Sequence, residues 1–413
     1  MVDWSKNLSH DLVEEIASHI DSYDDYTRLR AVCMVWKSSL PEKPRHLFSR
    51  LPCLMFPCDD NREDNHDHHE FFSMFMGSGG KVYNIELPHT AYNKLCRGFS
   101  QGWLITVEKG PSIDLINPLT KAHMQLPPIY TFPNVLEYQP ERVGKEFLVR
   151  LIFLATEYHN LHIDLAAMEQ SFIQKVVLSS SPGTTEKSCI AMAIYGDCSK
   201  LAYCKIGDKE WKLIEGENSL VRDIIHYEGR FFAVDNNGRV LVVYDNQFDV
   251  VNSSPKAKVF AAAPEGFDWG KPYLVESSGE LLLVERFLKV NRRSYETEKF
   301  RIWKLNLKLN SKSYSKSKWV KVKNLGHRML FLGYNESFSF LPPNVTPPHT
   351  GNRIYFTDDY FEGQSYYKTA GSDIGVYNIG DGSFLPSTLP LAKSGGRRRG
   401  IWPPPIWIMP KAL

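Results

Sequence analysis

Residues 230–244 decide the fold class, with the sequence Arg230-Phe231-Phe232-Ala233-Val234-Asp235-Asn236-Asn237-Gly238-Arg239-Val240-Leu241-Val242-Val243-Tyr244. Two runs of apolar, β-branched and aromatic residues stand on either side of Asn236-Asn237-Gly238. Because Asn-Gly suits the tight turn between two antiparallel strands, this stretch predicts a β-hairpin.

Further runs of the same kind follow Val82 along the chain, separated by Gly, Asn, Asp and Pro. A loose repeat is visible among them, because runs that begin at Gly102, Gly229, Gly279 and Gly351 are each followed by a second apolar run and a polar turn. Repeated antiparallel units of four strands form β-propellers, and about 350 residues would make six or seven blades of about 40 to 50 residues each. A pair of β-sandwiches is the alternative.

The chain divides into three parts by these patterns. Residues 1–45 carry helical signals, residues 46–80 are mixed and predict a linker or variable segment, and residues 81–413 predict the β domain. The predicted fold class is therefore a small all-α module followed by a large, mainly antiparallel all-β domain, with a β-propeller of six or seven blades as its architecture.

The first forty residues contain two apolar stripes at helical spacing. Ser9 is the predicted N-cap of the first helix, and either Asp24 or Asp25 is the predicted cap of the second. The first stripe consists of Leu8, Leu12, Ile16 and Ile20, and the second of Leu29, Val32, Cys33, Trp36 and Leu40. A unit of roughly 40 residues rarely builds a stable core alone, so these stripes need another surface, either of this chain or of a partner.

The order of residues in this region closely resembles plant F-boxes. It runs from Asp3-Trp4-Ser5 through Asp11-Leu12-Val13-Glu14-Glu15-Ile16 to Val32-Cys33 and Trp36-Lys37-Ser38, where the Trp three residues after Val-Cys is the family's recurring end signal. Ser9 departs from the family, which usually has Pro there. An ordinary helical cap on a larger domain is the alternative. The resemblance implies that the unit binds a Skp-family adaptor, and through it a cullin, with the residues Leu8, Leu12, Ile16, Leu29, Val32, Cys33 and Trp36.

A second resemblance covers the C-terminal part of the chain. Its motifs are Ile354-Tyr355-Phe356-Thr357-Asp358-Asp359, Asp373-Ile374-Gly375-Val376-Tyr377-Asn378, Asp381-Gly382-Ser383 and Pro405-Ile406-Trp407-Ile408-Met409-Pro410. They resemble the domain of unknown function 295 of a large plant F-box family with a kelch-like β-propeller.

The two resemblances together imply a non-catalytic subunit of a Skp–cullin–F-box ubiquitin ligase. In that role the β domain captures a protein substrate for ubiquitination and proteasomal degradation. The alternative is a protein- or RNA-binding module that acts outside the ligase through a basic β surface.

The composition fits a globular protein of the cytoplasm or the nucleus. Hydrophobic residues make up 43% of the chain and the net charge is +2, which makes nucleic acid an unexpected partner. No run approaches the about 18 to 20 apolar residues of a membrane helix, and the N-terminus has no signal-peptide pattern. Seven cysteines without a Cys-x-x-Cys pair predict reduced thiols, several of them buried.

Two short motifs resemble ligand sites, but their spacing does not fit. His66-Asp67-His68-His69-Glu70 has no second cluster of Cys or His at zinc-ligand spacing, so it predicts a loop. Gly77-Ser78-Gly79-Gly80-Lys81 lacks the first Gly and the final hydroxyl residue of a phosphate-binding loop, so it also predicts a loop. Since no Gly-x-Ser-x-Gly or His-Glu-x-x-His motif occurs, we expect no catalytic residue, no metal and no cofactor.

Residues 286–323 are strongly basic, with thirteen Lys or Arg and two acids. Aromatic residues interleave with these charges, a combination that can bind nucleic acid or an acidic partner. The candidate residues of such a surface are Arg292, Arg293, Lys316 and Lys318. The favoured interpretation is a pair of strands, 299–309 and 318–322, with aromatic residues inward and lysines outward. Lysines on exposed strands also discourage the pairing of a sheet edge with another chain.

Overall fold

The structure is a computed structural model that describes residues 8–20, 23–41, 52–56, 68–73, 81–86, 95–107, 110–153, 157–183, 189–216, 219–244, 255–292, 294–306, 318–342, 351–360, 372–385 and 404–409. Within these ranges an N-terminal helical unit, residues 8–41, precedes a region made almost wholly of strands. The predicted division into an all-α part and a mainly antiparallel β part is therefore confirmed.

Three short helices form the N-terminal helical unit: α1 His10–Ser18, α2 Tyr23–Ala31 and α3 Met34–Ser39. Ser9 caps α1 as predicted, because its side chain accepts a hydrogen bond from the Leu12 N–H at 3.4 Å. The cap predicted at Asp24 or Asp25 is wrong, because α2 already begins at Tyr23 and both acids lie in its first turn.

The sequence predicts one continuous helix for the second apolar stripe, but the stripe spans two helices, α2 and α3. Cys33 is extended, with φ −160° and ψ 169°, and separates α2 from α3. Its Sγ accepts a hydrogen bond from the Trp36 N–H at 3.4 Å and so caps α3. The break rotates the residues before Cys33 relative to those after it, which a helical periodicity cannot anticipate.

The strands are two to twelve residues long. They are β1 Cys53–Met55, β2 His68–Ser73, β3 Lys81–Glu86, β4 Leu95–Ser100, β5 Trp103–Val107, β6 Ile113–Ile116, β7 His123–Leu126, β8 Val135–Tyr138, β9 Phe147–Phe153, β10 Glu157–Ile163, β11 Ile173–Leu178, β12 Ile190–Tyr195, β13 Lys200–Lys205, β14 Lys212–Leu213, β15 Val221–Tyr227, β16 Arg230–Asp235, β17 Val240–Tyr244, β18 Lys258–Ala261, β19 Lys271–Ser277, β20 Glu280–Val290, β21 Tyr295–Asn306, β22 Lys318–Val322, β23 Met329–Leu332, β24 Phe338–Phe340, β25 Arg353–Phe356, β26 Gly375–Asn378 and β27 Ile406–Ile408. Short helical turns lie at Ile129–Thr131, Leu165–Ala167 (α4) and Met168–Phe172.

Most strands belong to sheets of four. Sheet 1 has the order β27-β1-β2-β3, sheet 2 β4-β5-β6-β7, sheet 3 β11-β12-β13-β14 and sheet 4 β15-β16-β17-β18. An eight-stranded sheet follows, in which we call β19–β22 sheet 5 and β23–β26 sheet 6; these two meet at a single parallel pair, Glu276 and Phe338. A three-stranded ribbon, β10-β9-β8, lies between sheets 2 and 3 in the chain.

The sheets are apolar on both faces, because each packs between two others. Phe231 and Phe232 are neighbours on β16 and point to opposite faces, one into the cluster shared with sheet 3 and the other into the cluster shared with sheet 5. One apolar cluster lies between each successive pair of sheets from 1 to 6. A further cluster joins sheet 6 to sheet 1, where Phe331 and Trp407 lie 5.1 Å apart between ring centroids.

The hairpin predicted at residues 230–244 is confirmed. Arg230 to Val234 of β16 pair antiparallel with Tyr244 to Val240 of β17. The turn between them is fixed by Asp235, whose carboxylate accepts hydrogen bonds from the N–H groups of Asn237 at 3.0 Å and Arg239 at 2.9 Å. Gly238 has φ 77°, the left-handed conformation that glycine adopts without strain.

The segment 46–80 differs from the predicted linker. It contains β1 and β2, which pair with each other and, through β1, with β27 near the C-terminus. The loop predicted for His66–Glu70 is wrong in its described part, since His68–Glu70 belong to β2. Strands of three to six residues leave too few positions for a periodicity to show. Of the Gly77–Lys81 loop only Lys81 lies within the described residues, as the first residue of β3.

Candidate functional site

The N-terminal helical unit has a small core of its own. Val13, Ala17, Tyr26 and Leu40 are buried together, with Val13 fully inaccessible to solvent at 0% exposure. The Tyr26 hydroxyl donates to the Pro41 carbonyl at 2.8 Å, and His10 Nδ1 lies 2.5 Å from Ser39 Oγ. These contacts hold the three helices together and orient the apolar residues that remain outside.

A group of large apolar side chains on this unit is left exposed. Leu12 is 52% exposed and Ile16 43%, one turn apart on α1. The described part of the chain has sixteen exposed large hydrophobic residues, and five of them lie in this unit of about thirty residues. We call these five the exposed apolar surface: Leu12, Ile16, Val32, Met34 and Val35. Exposed apolar residues concentrated in this way mark interaction surfaces.

The seven residues predicted to bind an adaptor fall into two groups. Leu12, Ile16 and Val32 lie on the exposed apolar surface. Leu8, Leu29 and Trp36 instead pack against the internal core, while Cys33 caps α3. The sequence reasoning missed Met34 and Val35, because it read the stripe as a single helix.

Two pockets lie at opposite ends of β15 and β19, the first strands of sheets 4 and 5, which we call the inner strands. The strands β15 and β19 contribute their first residues, Asp223 and Lys271 among them, to the first pocket and their last residues, His226 and Glu276 among them, to the second. The segment between β23 and β24 lines both pockets. We name them the Trp269 pocket, of about 200 Å³, and the Glu336 pocket, of about 190 Å³.

The Trp269 pocket has a charged floor and an exposed aromatic rim. In the floor, buried Lys175 contacts the carboxylate of Asp223, which also accepts a hydrogen bond from the Leu274 N–H at 2.8 Å. Burial raises the pKa of Asp223, and the neighbouring Lys175 ammonium opposes that rise. On the rim, Trp269 is 72% exposed and has φ 59°, an uncommon conformation for a bulky residue.

The Glu336 pocket is acidic and partly apolar. The Glu336 carboxylate accepts hydrogen bonds from Ser100 Oγ at 2.6 Å and from the His226 N–H at 3.1 Å, so it connects sheets 6, 2 and 4. Burial raises the pKa of Glu336, and these hydrogen bonds oppose the rise. Glu276 and Phe338 also line the pocket, where sheets 5 and 6 meet.

A buried arginine connects sheets 5 and 6. Arg286 on β20 is 1% exposed and is surrounded by acceptors. Its Nε donates to Thr297 Oγ1 at 2.8 Å, one terminal nitrogen to Asp359 at 3.1 Å and the other to Asp373 at 2.8 Å. Asp359 and Asp373 belong to the C-terminal motifs singled out in the sequence, so those motifs supply partners for a buried cation.

The basic region 286–323 forms the pair of strands that the sequence favoured. The strand β21 runs from Tyr295 to Asn306 and pairs antiparallel with β22. Tyr295, Phe300 and Trp303 are buried, so their rings are unavailable for stacking with bases. Of the four candidate surface residues, Arg292 is exposed and Lys318 begins β22, while Arg293 and Lys316 lie outside the described residues.

The described residues contain no group of three or more His, Cys, Asp or Glu that could hold a metal ion. Their helices are all too short or too polar to cross a membrane. Burial raises the pKa of the Cys189 and Cys204 thiols, as expected for cysteines that serve as small apolar residues.

The strand region matches a known protein family. The family model described as the KIB1-4 beta-propeller matches residues 71–378, which is more than half of the 413-residue chain. The chain belongs to the KIB1-4 β-propeller family. The matched range includes β3 to β26 and every described lining residue of the two pockets except Met409.

Curated relatives extend the similarity to the helical unit. The chain is 29% identical to the F-box protein SKIP23 of Arabidopsis thaliana, over 99% of this chain and 96% of that protein. It is 26% identical to the F-box protein At2g17036 of the same plant, over 99% of this chain and 95% of that protein. A solved β-propeller domain of Myceliophteria thermophila Cps50 (Swd1) aligns over 81% of this chain and 84% of that domain at 10% identity, with a TM-score of 0.35, too low to add to the assignment.

Proposed function

We propose that this protein is the substrate-recognition subunit of a Skp–cullin–F-box ubiquitin ligase. The observation that carries the proposal is the exposed apolar surface of a helical unit whose relatives are plant F-box proteins. Such a surface costs solubility unless a partner covers it, and a Skp-family adaptor is the partner that the F-box resemblance implies. The subunit itself performs no catalysis; it raises the effective concentration of a target near the conjugating enzyme.

The proposed architecture is a six-bladed propeller with sheets 1 to 6 as blades. Two observations support it: the apolar clusters that link each sheet to the next, including sheet 6 to sheet 1, and the pairing of β1 with β27 from opposite ends of the region. Residues 1–45 remain the proposed adaptor-binding module. The segment 46–80 connects it to the β domain and contributes β1 and β2 to the first blade. The resemblance to the domain of unknown function 295 and to kelch-like repeats stays a prediction.

The target is proposed to bind at the end of the β domain that carries Trp269. Loops at one end of such a domain vary freely, whereas its strands are committed to packing between sheets. An exposed tryptophan on a pocket rim has the properties of a binding hot spot, since it offers a large rigid apolar surface. The charged floor beneath it supplies hydrogen-bond donors that fix orientation.

Two altered chains, one without the helical unit and one changed at Trp269, test this division of roles. A truncated chain that begins at Pro52 should bind the target but fail to bring about its degradation, so that overexpression lengthens the half-life of the target in cells. The full chain with Trp269→Ala should bind the adaptor normally and lose the target. Targets are identified by affinity purification after proteasome inhibition, which also shows whether cullin and adaptor, or nucleic acid, co-purify. Normal degradation of a target that is bound to the truncated chain would contradict the proposal.

A further inference from the structure

We propose that the Glu336 pocket binds a lysine or arginine side chain presented by a protein partner. This site lies at the end of the inner strands opposite to Trp269. It is a second binding site, independent of the adaptor surface and of the proposed target end.

The charges that line the pocket fit a cation. Glu276 and Glu336 both line it, together with His226, and the described lining residues include no Lys or Arg. Among the described residues, Glu276 accepts one hydrogen bond, from the Gly279 N–H at 2.8 Å, and Glu336 accepts two. Since an ionised carboxylate offers about four acceptor positions, both retain capacity for a charged donor. A cation placed between them would also offset the desolvation of Glu336.

A buried hydroxyl in the same pocket has no hydrogen-bond partner among the described residues. Ser337 is 2% exposed, and its Oγ makes no hydrogen bond within the described part of the chain. Buried polar atoms are nearly always paired, so the Ser337 hydroxyl has hydrogen-bonding capacity that a ligand atom in the pocket can use. The N–H groups of an ammonium or guanidinium can donate to this oxygen.

The size and apolar lining of the pocket suit the stem of such a side chain. Its volume of about 190 Å³ exceeds that of the cavities of about 150 Å³ that hold a benzene ring in proteins. Phe99, Phe338 and Met409 supply apolar walls. Long cationic side chains bury their methylene stems along such walls, and their heads also interact with aromatic rings.

A competing occupant exists in the chain itself. Lys411 follows Met409 by two residues in the sequence, and Met409 lines the pocket. We commit to a partner's side chain on charge complementarity, because Glu276 and Glu336 line the pocket and its described lining includes no Lys or Arg. The test below separates the two occupants.

The test is a titration of the full chain labelled at the methionine methyl groups and followed by NMR, in which Met409 reports on the pocket. The resonance is assigned with Met409→Leu. The probes are acetyl-Gly-Lys-Gly-amide and acetyl-Gly-Arg-Gly-amide, matched with the same peptides carrying norleucine in place of lysine or citrulline in place of arginine, which remove the charge and add no bulk. We expect a saturable shift of the Met409 methyl signal with both cationic peptides and none with the neutral ones.

Three variants complete the design. Glu276→Gln should weaken binding at least tenfold and Ser337→Ala should weaken it a fewfold, whereas Glu298→Gln, an exposed acid on β21, should change nothing. Equal responses to charged and neutral peptides, no response at all, or an unchanged affinity of Glu276→Gln would overturn the proposal. A response seen only in Lys411→Ala would also overturn it, because the chain's own lysine would then be the occupant. Adaptor binding, measured separately, stays normal in all these variants, so failure here leaves the proposed function standing.

Discussion

Replacing Leu12 and Ile16 together by alanine separates adaptor binding from the folding of the helical unit. Both side chains lie on the exposed apolar surface, and neither belongs to the internal core around Val13 and Tyr26. Alanine keeps the helix, since its helix propensity is the highest of all residues. The double substitution should therefore leave the unit folded and remove two contacts with the adaptor.

The size of the effect follows from how much of each side chain is free to be covered. Complete burial of a Leu or Ile side chain stabilises by about 1.5 to 3 kcal/mol. Leu12 is 52% exposed and Ile16 43%, so a partner can bury roughly half of each. The loss is then about 0.75 to 1.5 kcal/mol per residue, which for the pair is roughly 10- to 150-fold in affinity.

The assay is calorimetric titration of the full chain with a purified Skp-family adaptor, with Val13→Ala as the matched control. Val13 is the next residue along the same helix and is fully buried, so its truncation should lower the free energy of unfolding of the unit by about 2 kcal/mol. The double variant should lose affinity with an unchanged thermal melt of the unit, and Val13→Ala should show the reverse. An adaptor affinity of the double variant within threefold of the original chain would refute the assignment of this surface.

Four further outcomes are expected. Trp36→Ala should lower adaptor affinity together with the melting temperature of the helical unit, because Trp36 packs on the internal core; binding lost at unchanged stability would place it on the surface instead. Trp269→Ala should weaken target binding by roughly thirtyfold and change stability by under about 0.5 kcal/mol, measured by pull-down titration and thermal melt. Arg286→Met should destabilise the β domain by about 3 to 5 kcal/mol in chemical denaturation, because two buried carboxylates lose their cation. Arg286→Lys should also be destabilised, because one ammonium cannot replace the three donor nitrogens of the guanidinium. Burial opposes ionisation of Asp359, but Lys271 and Arg286 outweigh this effect and lower the pKa of the carboxyl group. The stability that this carboxylate contributes is therefore present above about pH 4 and is lost as the pH falls through the lowered pKa. Asp359→Asn should flatten the dependence of melting temperature on pH in that range.

The sequence predicted elements well where the signal is local. The hairpin at residues 230–244 is confirmed because a turn between two apolar runs is specified within fifteen residues. The Ser9 cap is confirmed for the same reason, since the cap and its N–H donor are three residues apart. The strand β1 was missed because it is only three residues long and one of its two partners, β27, lies more than 350 residues away.

The two pockets were harder to predict than the fold, because each is assembled from distant segments. The Glu336 pocket combines Ser100, His226, Glu276 and Ser337, and none of these stands in a motif. The acids of the Thr357-Asp358-Asp359 motif were visible, but their partner Arg286 lay in the basic region and was counted there as one of many surface charges. Only the packing of sheet 5 on sheet 6 shows that this arginine is buried.

The position of the two pockets along the strands bears on how the proposed ligase subunit works. The strand β1 begins at Cys53, which pairs with Ile408, and the residue after Ile408, Met409, lines the Glu336 pocket. The start of β1 therefore lies at the Glu336 end, while Trp269 lies at the other end. Lys271 and Glu276, five residues apart on β19, line the two pockets, and at about 3.4 Å per residue they are separated by roughly 17 Å. A target bound at the proposed Trp269 site would thus leave the start of β1 uncovered, and β1 is the first described strand after the helical unit, so the proposed site is compatible with holding adaptor and target at the same time.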